Sequence, residues 1–503
     1  LHMRLFCLIP AVFLSSAWGQ PVPLEGENSA GFIARWNAWV ASVEPDQAAF
    51  PEIVRLVDAI DAALEEVDSR RYVEWYMQDS LPGSPEWPLV ERAAERIRPL
   101  TDELRVVLER PYLAMPLGKP VAEGDPGPQE VNANWTAAQC LLFPALTDGE
   151  RATGRALMFL GYEATVAKRR GDLGTQVAYR LAAFNLARLD SEYPAGFWVM
   201  RARSTGGQAV QSVLDLVEQR GERLRDSSLE RMQTSLMGWL ESGTPRKYAP
   251  LELIAGEEWL AEWFRADDPT RLSEVGQSWI QPLHRMHEGM YPEFLAMGFG
   301  FGIIPKPDLN GEFAPADEQA RVFRTIFEAV YRDGEASWHS MRSLETSRLH
   351  AMIQANDPDG RLTPALLALW SQQPWARWAV RDRTKALAAC VVLAVYRHHA
   401  ATGQWPAALS DIKPEHMPIE PLDPYSGKPF GYTVIDGQPL VWSLGVDQDD
   451  DAGRRGGWDG YAPPWMPRDD YDALPEEARA QMDGDWLIFP EAPLSPASSD
   501  VQP

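Results

Sequence analysis

Four aspartates fall within five positions, at Asp447, Asp449, Asp450 and Asp451. Carboxylates at that density are hard oxygen donors, and calcium takes six to eight oxygens, main-chain carbonyls included. Asp447, Asp449 and Asp451 alternate along the run and are the candidate metal ligands. The run is not an EF-hand: Ala452 stands where the sharp-turn glycine belongs, and Trp458 where the bidentate glutamate belongs. The competing reading is a solvated acidic loop, because residues 445–503 hold 14 acidic against 4 basic residues.

A second metal-like pattern is His284-Arg285-Met286-His287-Glu288. A zinc hydrolase helix carries His-Glu-x-x-His, and the order here differs. Histidines three apart share a helix face, but no third ligand is identifiable; His339 and His350 sit with Glu345 in another helical stretch. Structural histidine is the simpler reading, and an envelope metal-dependent hydrolase with its site in the helical body is the alternative function. Gly298-Phe-Gly300-Phe-Gly302 follows no strand, so it is not a nucleotide loop. Gly-x-Ser-x-Gly, Walker and Cys-x-x-Cys patterns are absent from the sequence, and no residue is assigned a catalytic role. Of the 20 tryptophans, Trp36/Trp39, Trp259/Trp263 and Trp370/Trp375/Trp378 recur near one helical turn. That spacing fits core staples better than a sugar platform.

The elements that must carry these residues are mostly helices. Ile53, Leu56, Val57, Ile60, Leu64 and Val67 make a helical stripe over Pro51–Asp68. Trp87–Leu108 repeats it, with a kink or break expected at Pro99. Residues 116–130 are rich in Gly and Pro and read as loop. Glu150–Arg170, a Gly171-Asp172 turn and Leu173–Leu189 form a helical hairpin that resembles a tetratricopeptide unit, with no second copy at a fixed 34-residue period. Further helices are predicted over Phe197–Arg220, from a Ser227/Glu230 capping box to Glu241, and over Leu251–Arg265, Ser278–Met297, Pro315–Asn356 (split at Asp333-Gly334) and Thr363–Trp370. Residues 20–370 are therefore an irregular helical bundle or α-solenoid body.

The pattern changes after residue 370. Pro374–Thr402 is a long helix stopped by Gly403, with Leu387, Val391, Leu393, Ala394 and Tyr396 facing inward. Phe430, Tyr432 and Val434 alternate on one strand, and Leu440, Trp442 and Leu444 on the next, around an Asp436-Gly437 hairpin turn. Trp486–Phe489 can add a third strand. Residues 371–490 thus form a small α+β module, a long helix on an antiparallel sheet, and 491–503 a disordered tail.

Charge and the N-terminus bound the compartment. The 503-residue chain carries net charge −25, which repels nucleic acid and anionic membrane surfaces. Arg4, an apolar Leu5–Leu14 core and Ala17-Trp18-Gly19 before Gln20 read as a cleavable signal over residues 1–19. The mature chain then has no transmembrane anchor and is exported, to the periplasm or beyond. Cys7 falls inside the signal. Cys140 and Cys390 remain; an oxidising compartment permits a disulfide between them, while their apolar helical settings favour free buried thiols.

Residues 380–453 with 483–489 resemble the C-terminal part of type II secretion major pseudopilins. The resemblance lies in Tyr396 followed by Thr402-Gly403-Gln404-Trp405-Pro406, in Asp423-Pro424 followed by Gly427-Lys428-Pro429-Phe430-Gly431-Tyr432, in Trp442-Ser443-Leu444-Gly445 before an Asp/Gly-rich loop, and in Gly484-Asp485-Trp486. It implies a calcium loop with carbonyls from around Leu444 and Val446, carboxylates from Asp447, Asp449 and Asp451, and a later Asp459 or Asp485. The match covers about a fifth of the chain. The family's long apolar N-terminal helix is missing here, which argues against assembly as a pilus subunit. The expected role is a non-enzymatic structural or protein-binding one at the cell envelope, with the partner unspecified.

Overall fold

The computed structural model describes residues 28–67, 82–117, 148–193, 196–242, 249–281, 284–285, 308–335, 345–357, 359–369, 375–417, 420–445, 447–454, 475–477, 479 and 484–490. The signal, the 116–130 loop beyond 117, Cys140, the Gly298–Gly302 run, Asp459 and the 491–503 tail lie outside them. The chain divides into two compact units: residues 1–172, 189–201 and 246–256 form one, and 173–188, 202–245 and 257–503 the other. The division does not fall at 370/371, because the C-terminal module shares its unit with helices of the body.

In the first unit, α1 (Ser29–Ser42) starts on Asn28, whose side chain accepts from the Gly31 N–H at 2.8 Å. Helices α2 (Phe50–Glu65), α3 (Trp87–Val107) and α4 (Asp148–Arg170) pack mutually. The α2 stripe of Ile53, Leu56, Val57, Ile60 and Leu64 is buried as its spacing predicts, whereas Val67 lies beyond the helix end and is half-buried. The break expected at Pro99 does not occur. Pro99 lies on the exposed side of α3, while Ile97, Thr101 and Leu104 bury the other side and hold the helix through it. Ion pairs Arg55–Glu103 and Arg155–Asp61, with Arg170–Glu91 at 3.3 Å, lace the surfaces of these helices.

This unit also buries two carboxylates completely. Glu163 on α4 faces Arg98 at 3.7 Å, and Asp190 faces Arg201 at 3.6 Å. Desolvation pushes each carboxyl up to about 7 against the pull of its arginine.

Helices α5 (Leu173–Asp190) and α6 (Gly196–Arg220) follow the Gly171-Asp172 turn, where Gly171 takes φ 74°. The second unit contains α7 (Asp226–Ser242), most of the C-terminal half of α8 (Ala249–Glu262), α9 (Ala316–Glu335), α10 (Glu345–Asn356), α11 (Thr363–Leu369) and α12 (Trp375–Thr402). The split expected at Asp333-Gly334 does not occur there, because α9 runs through both residues to Glu335; residues 336–344 lie outside the described residues. The Ser227/Glu230 capping box does not form, because α7 begins one residue before Ser227. Asp226 and Glu230 instead pair with buried Arg397, at 2.9 and 3.4 Å.

Helix α12 is the centre of the second unit. It packs on α7, α9 and the sheet. Every residue from Ala388 to Arg397 is consequently buried, whereas the sequence predicts a single inward face; Leu387 of that face is only half-buried. A helix covered on several sides needs apolar residues all round, which the run Ala388–Val395 provides. Cys390 is a free, buried thiol whose Sγ lies 3.4 Å from Met237 Sδ on α7, and burial pushes it up to about 12. It makes no disulfide. Trp36, Trp259 and Trp263 are core residues, with ring pairs Trp36/Trp39 at 4.9 Å and Trp259/Trp263 at 4.6 Å.

The three strands β1 (Gly431–Ile435), β2 (Gln438–Ser443) and β3 (Trp486–Phe489) form an antiparallel sheet in that order. Ile435 pairs with Gln438 around Asp436 (φ 51°) and Gly437 (φ 79°), the left-handed two-residue turn that an Asp-Gly pair favours. Among the described residues all strands follow residue 430, and no helix is long and apolar enough to cross a membrane. The fold is mainly helical with a small C-terminal antiparallel sheet.

Candidate cation site

Strand β2 ends at Ser443, and the chain turns at Gly445 (φ 69°) into the acidic run. The run is compact. Gln448 (φ 61°) and Ala452 (φ 55°) both adopt left-handed backbone, which coils the segment and turns alternate aspartates to one side. Asp447, Asp449 and Asp451 each place a carboxylate oxygen within 4.8 Å of the other two. Oxygens bound to one calcium at roughly 2.3–2.6 Å can lie no farther apart than about twice that length, so the spacing suits a shared ion.

Asp450 takes a different part. Its Oδ1 accepts from Trp442 Nε1 at 3.2 Å and from the Ala452 N–H at 3.0 Å, tying the run to a sheet-face cluster of Leu440, Trp442 and Leu444. Gly453 lies so close to that cluster that a Cβ there would come within 2.6 Å of Leu440. With its φ at 81°, the position also favours glycine where the loop lies on the sheet.

Asp485 arrives from the entry of β3 and is fully buried. Its Oδ2 accepts from the Gly453 N–H at 2.7 Å, and its own N–H donates to the Arg454 carbonyl at 2.9 Å. Its Oδ1 is buried with no hydrogen-bond partner, as is Oδ2 of Asp451. The neighbouring Gly484 N–H reaches Asp447 Oδ2 at 3.4 Å. Asp485 is thus brought against the run, although it is not one of the three converging residues.

Among the described residues, the electrostatics are those of an acid-rich pocket. Burial, reinforced by Asp449 and Asp485, pushes Asp447 up to about 7. Burial also pushes Asp485 up to about 7, with Asp450 and Asp451 adding repulsion against the two backbone N–H donors that favour the anion. Arg454 partly balances the run from its exposed edge, bonding Asp451 Oδ1 at 2.5 Å. A hard divalent cation fits this donor set: several carboxylates and, among the described residues, buried oxygens of Asp451 and Asp485 that lack a donor.

Of the residues expected at the site, Asp447, Asp449 and Asp451 come together, Asp485 lies beside them, and Leu444 stands at the buried exit of β2. Val446 lies outside the described residues. Sequence reasoning missed four supports: Asp423, Trp442, Ser443 and Gln448. Asp423 and Trp442 were visible as turn and strand residues, but the bonds of Asp423 to the exit of β2 and of Trp442 to Asp450 depend on tertiary folding. At the other candidate site, His284 is buried, while His287 and Glu288 lie outside the described residues. Compared with protein-family models, curated proteins and solved structures, the chain matches none.

Proposed function

We propose that this chain is an exported, non-enzymatic structural or protein-binding component of the cell envelope, and that one calcium ion locks its pseudopilin-like C-terminal module. The observation that carries the calcium reading is the convergence of Asp447, Asp449 and Asp451 next to the buried Asp485, whose Oδ1 lacks a donor. Asp447, Asp449 and Asp451 would hold the ion, with Asp485 and the carbonyls of Leu444 and Val446 completing an oxygen set. The ion would neutralise the repulsion within the loop and fix a segment that otherwise spends folding energy on like charges. The helical body then supplies the surface for an envelope partner, in keeping with a composition that disfavours nucleic acid and with the absence of a catalytic motif in the sequence.

The test is metal analysis of the purified full chain. Calcium alone, lost in Asp447→Ala and Asp449→Ala, supports this reading. Stoichiometric zinc that disappears in His287→Ala would replace it with the envelope hydrolase.

A further inference from the structure

The turn Asp423-Pro424-Tyr425-Ser426 is built around a carboxylate that has no capacity left for an ion. Asp423 is fully buried. Its Oδ1 accepts from the Tyr425 N–H at 3.0 Å and from Ser443 Oγ at 2.9 Å. Its Oδ2 accepts from Ser426 Oγ at 2.9 Å and from the Leu444 N–H at 3.2 Å. Two of these donors belong to the turn itself. The other two are the last residue of β2 and the residue after it, about twenty positions further along the chain.

The same turn reaches the acidic loop twice more. The Tyr425 carbonyl accepts from Gln448 Nε2 at 3.2 Å, in the middle of the run. The Tyr425 ring meets Trp486 edge to face at 6.3 Å, one residue beyond Asp485. Ser443 relays the contact, since its Oγ accepts from the Gly445 N–H at 3.2 Å. One turn therefore touches the exit of β2, the centre of the aspartate run and the entry of β3. Those are the separate pieces of chain that would contribute ligands.

We infer that Asp423 is a positioning residue for the cation site: through Ser443, Leu444 and the Tyr425–Gln448 bond, its turn sets the geometry in which the loop captures calcium, without Asp423 touching the ion. The inference rests on the calcium reading above. A saturated carboxylate behind a ligand set acts by orienting the ligands, and removing such a support costs on the order of 10–100-fold in metal affinity. Asparagine at 423 would present an N–H₂ group to two of the four donors and break the clamp.

The experiment is calorimetric titration of the full chain with calcium chloride, alongside melting of the metal-free protein. Asp423→Asn is expected to weaken calcium binding by about tenfold or more. Gln448→Ala, which removes the Tyr425 link alone, and Ser443→Ala, which removes the bonds to Asp423 and Gly445, keep the turn's own donors and are expected to weaken it several-fold. Gln448→Ala is expected to leave the metal-free melting temperature at the wild-type value. Ser443→Thr, which keeps the hydroxyl, is expected to restore affinity. If Asp423→Asn does not fold, Gln448→Ala and Ser443→Ala decide. Wild-type affinity in both of them would overturn this inference and leave the calcium reading standing; so would a lowered metal-free melting temperature with unchanged affinity. A wild-type chain that takes up no calcium would overturn the calcium reading itself.

Discussion

The helical body and the C-terminal loop both bury carboxylates, and they complete them in opposite ways. Glu163 and Asp190 are pushed up to about 7 by desolvation, as are Asp447 and Asp485. In the body each acid has an arginine of its own chain beside it, Arg98 or Arg201. In the loop the neighbours that raise the two acids are other aspartates, and Arg454 bonds Asp451 at the exposed edge. The four carboxyls end near the same value by different balances, burial against an arginine in the body and burial together with aspartates in the loop. What differs is the source of the compensating charge: internal in the body, and, on the proposed reading, an ion from solution at the loop. A site is thus recognised less by its acids than by the charges its described neighbours carry.

The comparison can be broken most severely by removing an internal cation. Arg201→Met leaves Asp190 buried without its partner and should cost at most about 2–3 kcal/mol at pH 9 in urea denaturation, the worth of holding ionised a carboxyl whose folded value is about 7. At pH 5 Asp190 is protonated in the folded protein, so the cost should largely vanish. Equal losses at both pH values would contradict the assignment.

The wild-type pH dependence comes next. Glu163 and Asp190 have folded values near 7, above their ordinary 4.5 and 3.8, so the folded state binds more protons between those limits. Their contribution is fully present below pH 4 and is lost as pH rises through 7. Going from pH 8 to pH 5 should stabilise the protein by roughly 2–3 kcal/mol for each carboxyl. Glu163→Gln should flatten that slope by one carboxyl's share, measured by denaturant midpoint across the pH range.

The calcium effect on stability should be of like size. At a calcium concentration a hundredfold above the dissociation constant, binding to the folded state alone contributes about 2.7 kcal/mol. Thermal melting with calcium against a chelator should show it, and Asp447→Ala/Asp449→Ala should abolish it. The smallest expected effect concerns the loop's backbone. Ala452 is exposed and held at φ 55°, so Ala452→Gly should relieve up to about 1 kcal/mol and raise the melting temperature of the metal-free protein slightly.

Much of this was legible in the sequence where the signal is local. The stripe of α2, the end of α12 before Gly403, the Asp436-Gly437 hairpin and all three strands follow from periodicity and turn chemistry. The aspartate triad followed from its spacing. What escaped depends on partners distant in sequence. Pro99 was tolerated because its exposed position let the buried side of α3 decide. The capping box at Ser227 gave way to the pairing of Asp226 and Glu230 with Arg397, some 170 positions away. Asp423 read as a turn former, and nothing local could show that its carboxylate holds Ser443 and Leu444. The all-round burial of α12 likewise reflects three packing partners that no single helical stripe could announce.

The central claim, that the loop takes its missing charge from solution whereas the body does not, is tested most directly by calorimetric titration of the metal-free full chain with calcium. The account predicts one ion per chain, lost in Asp447→Ala/Asp449→Ala and retained in Glu163→Gln and Asp190→Asn. No binding by the wild-type chain, or binding that survives loss of the two loop aspartates, would contradict it.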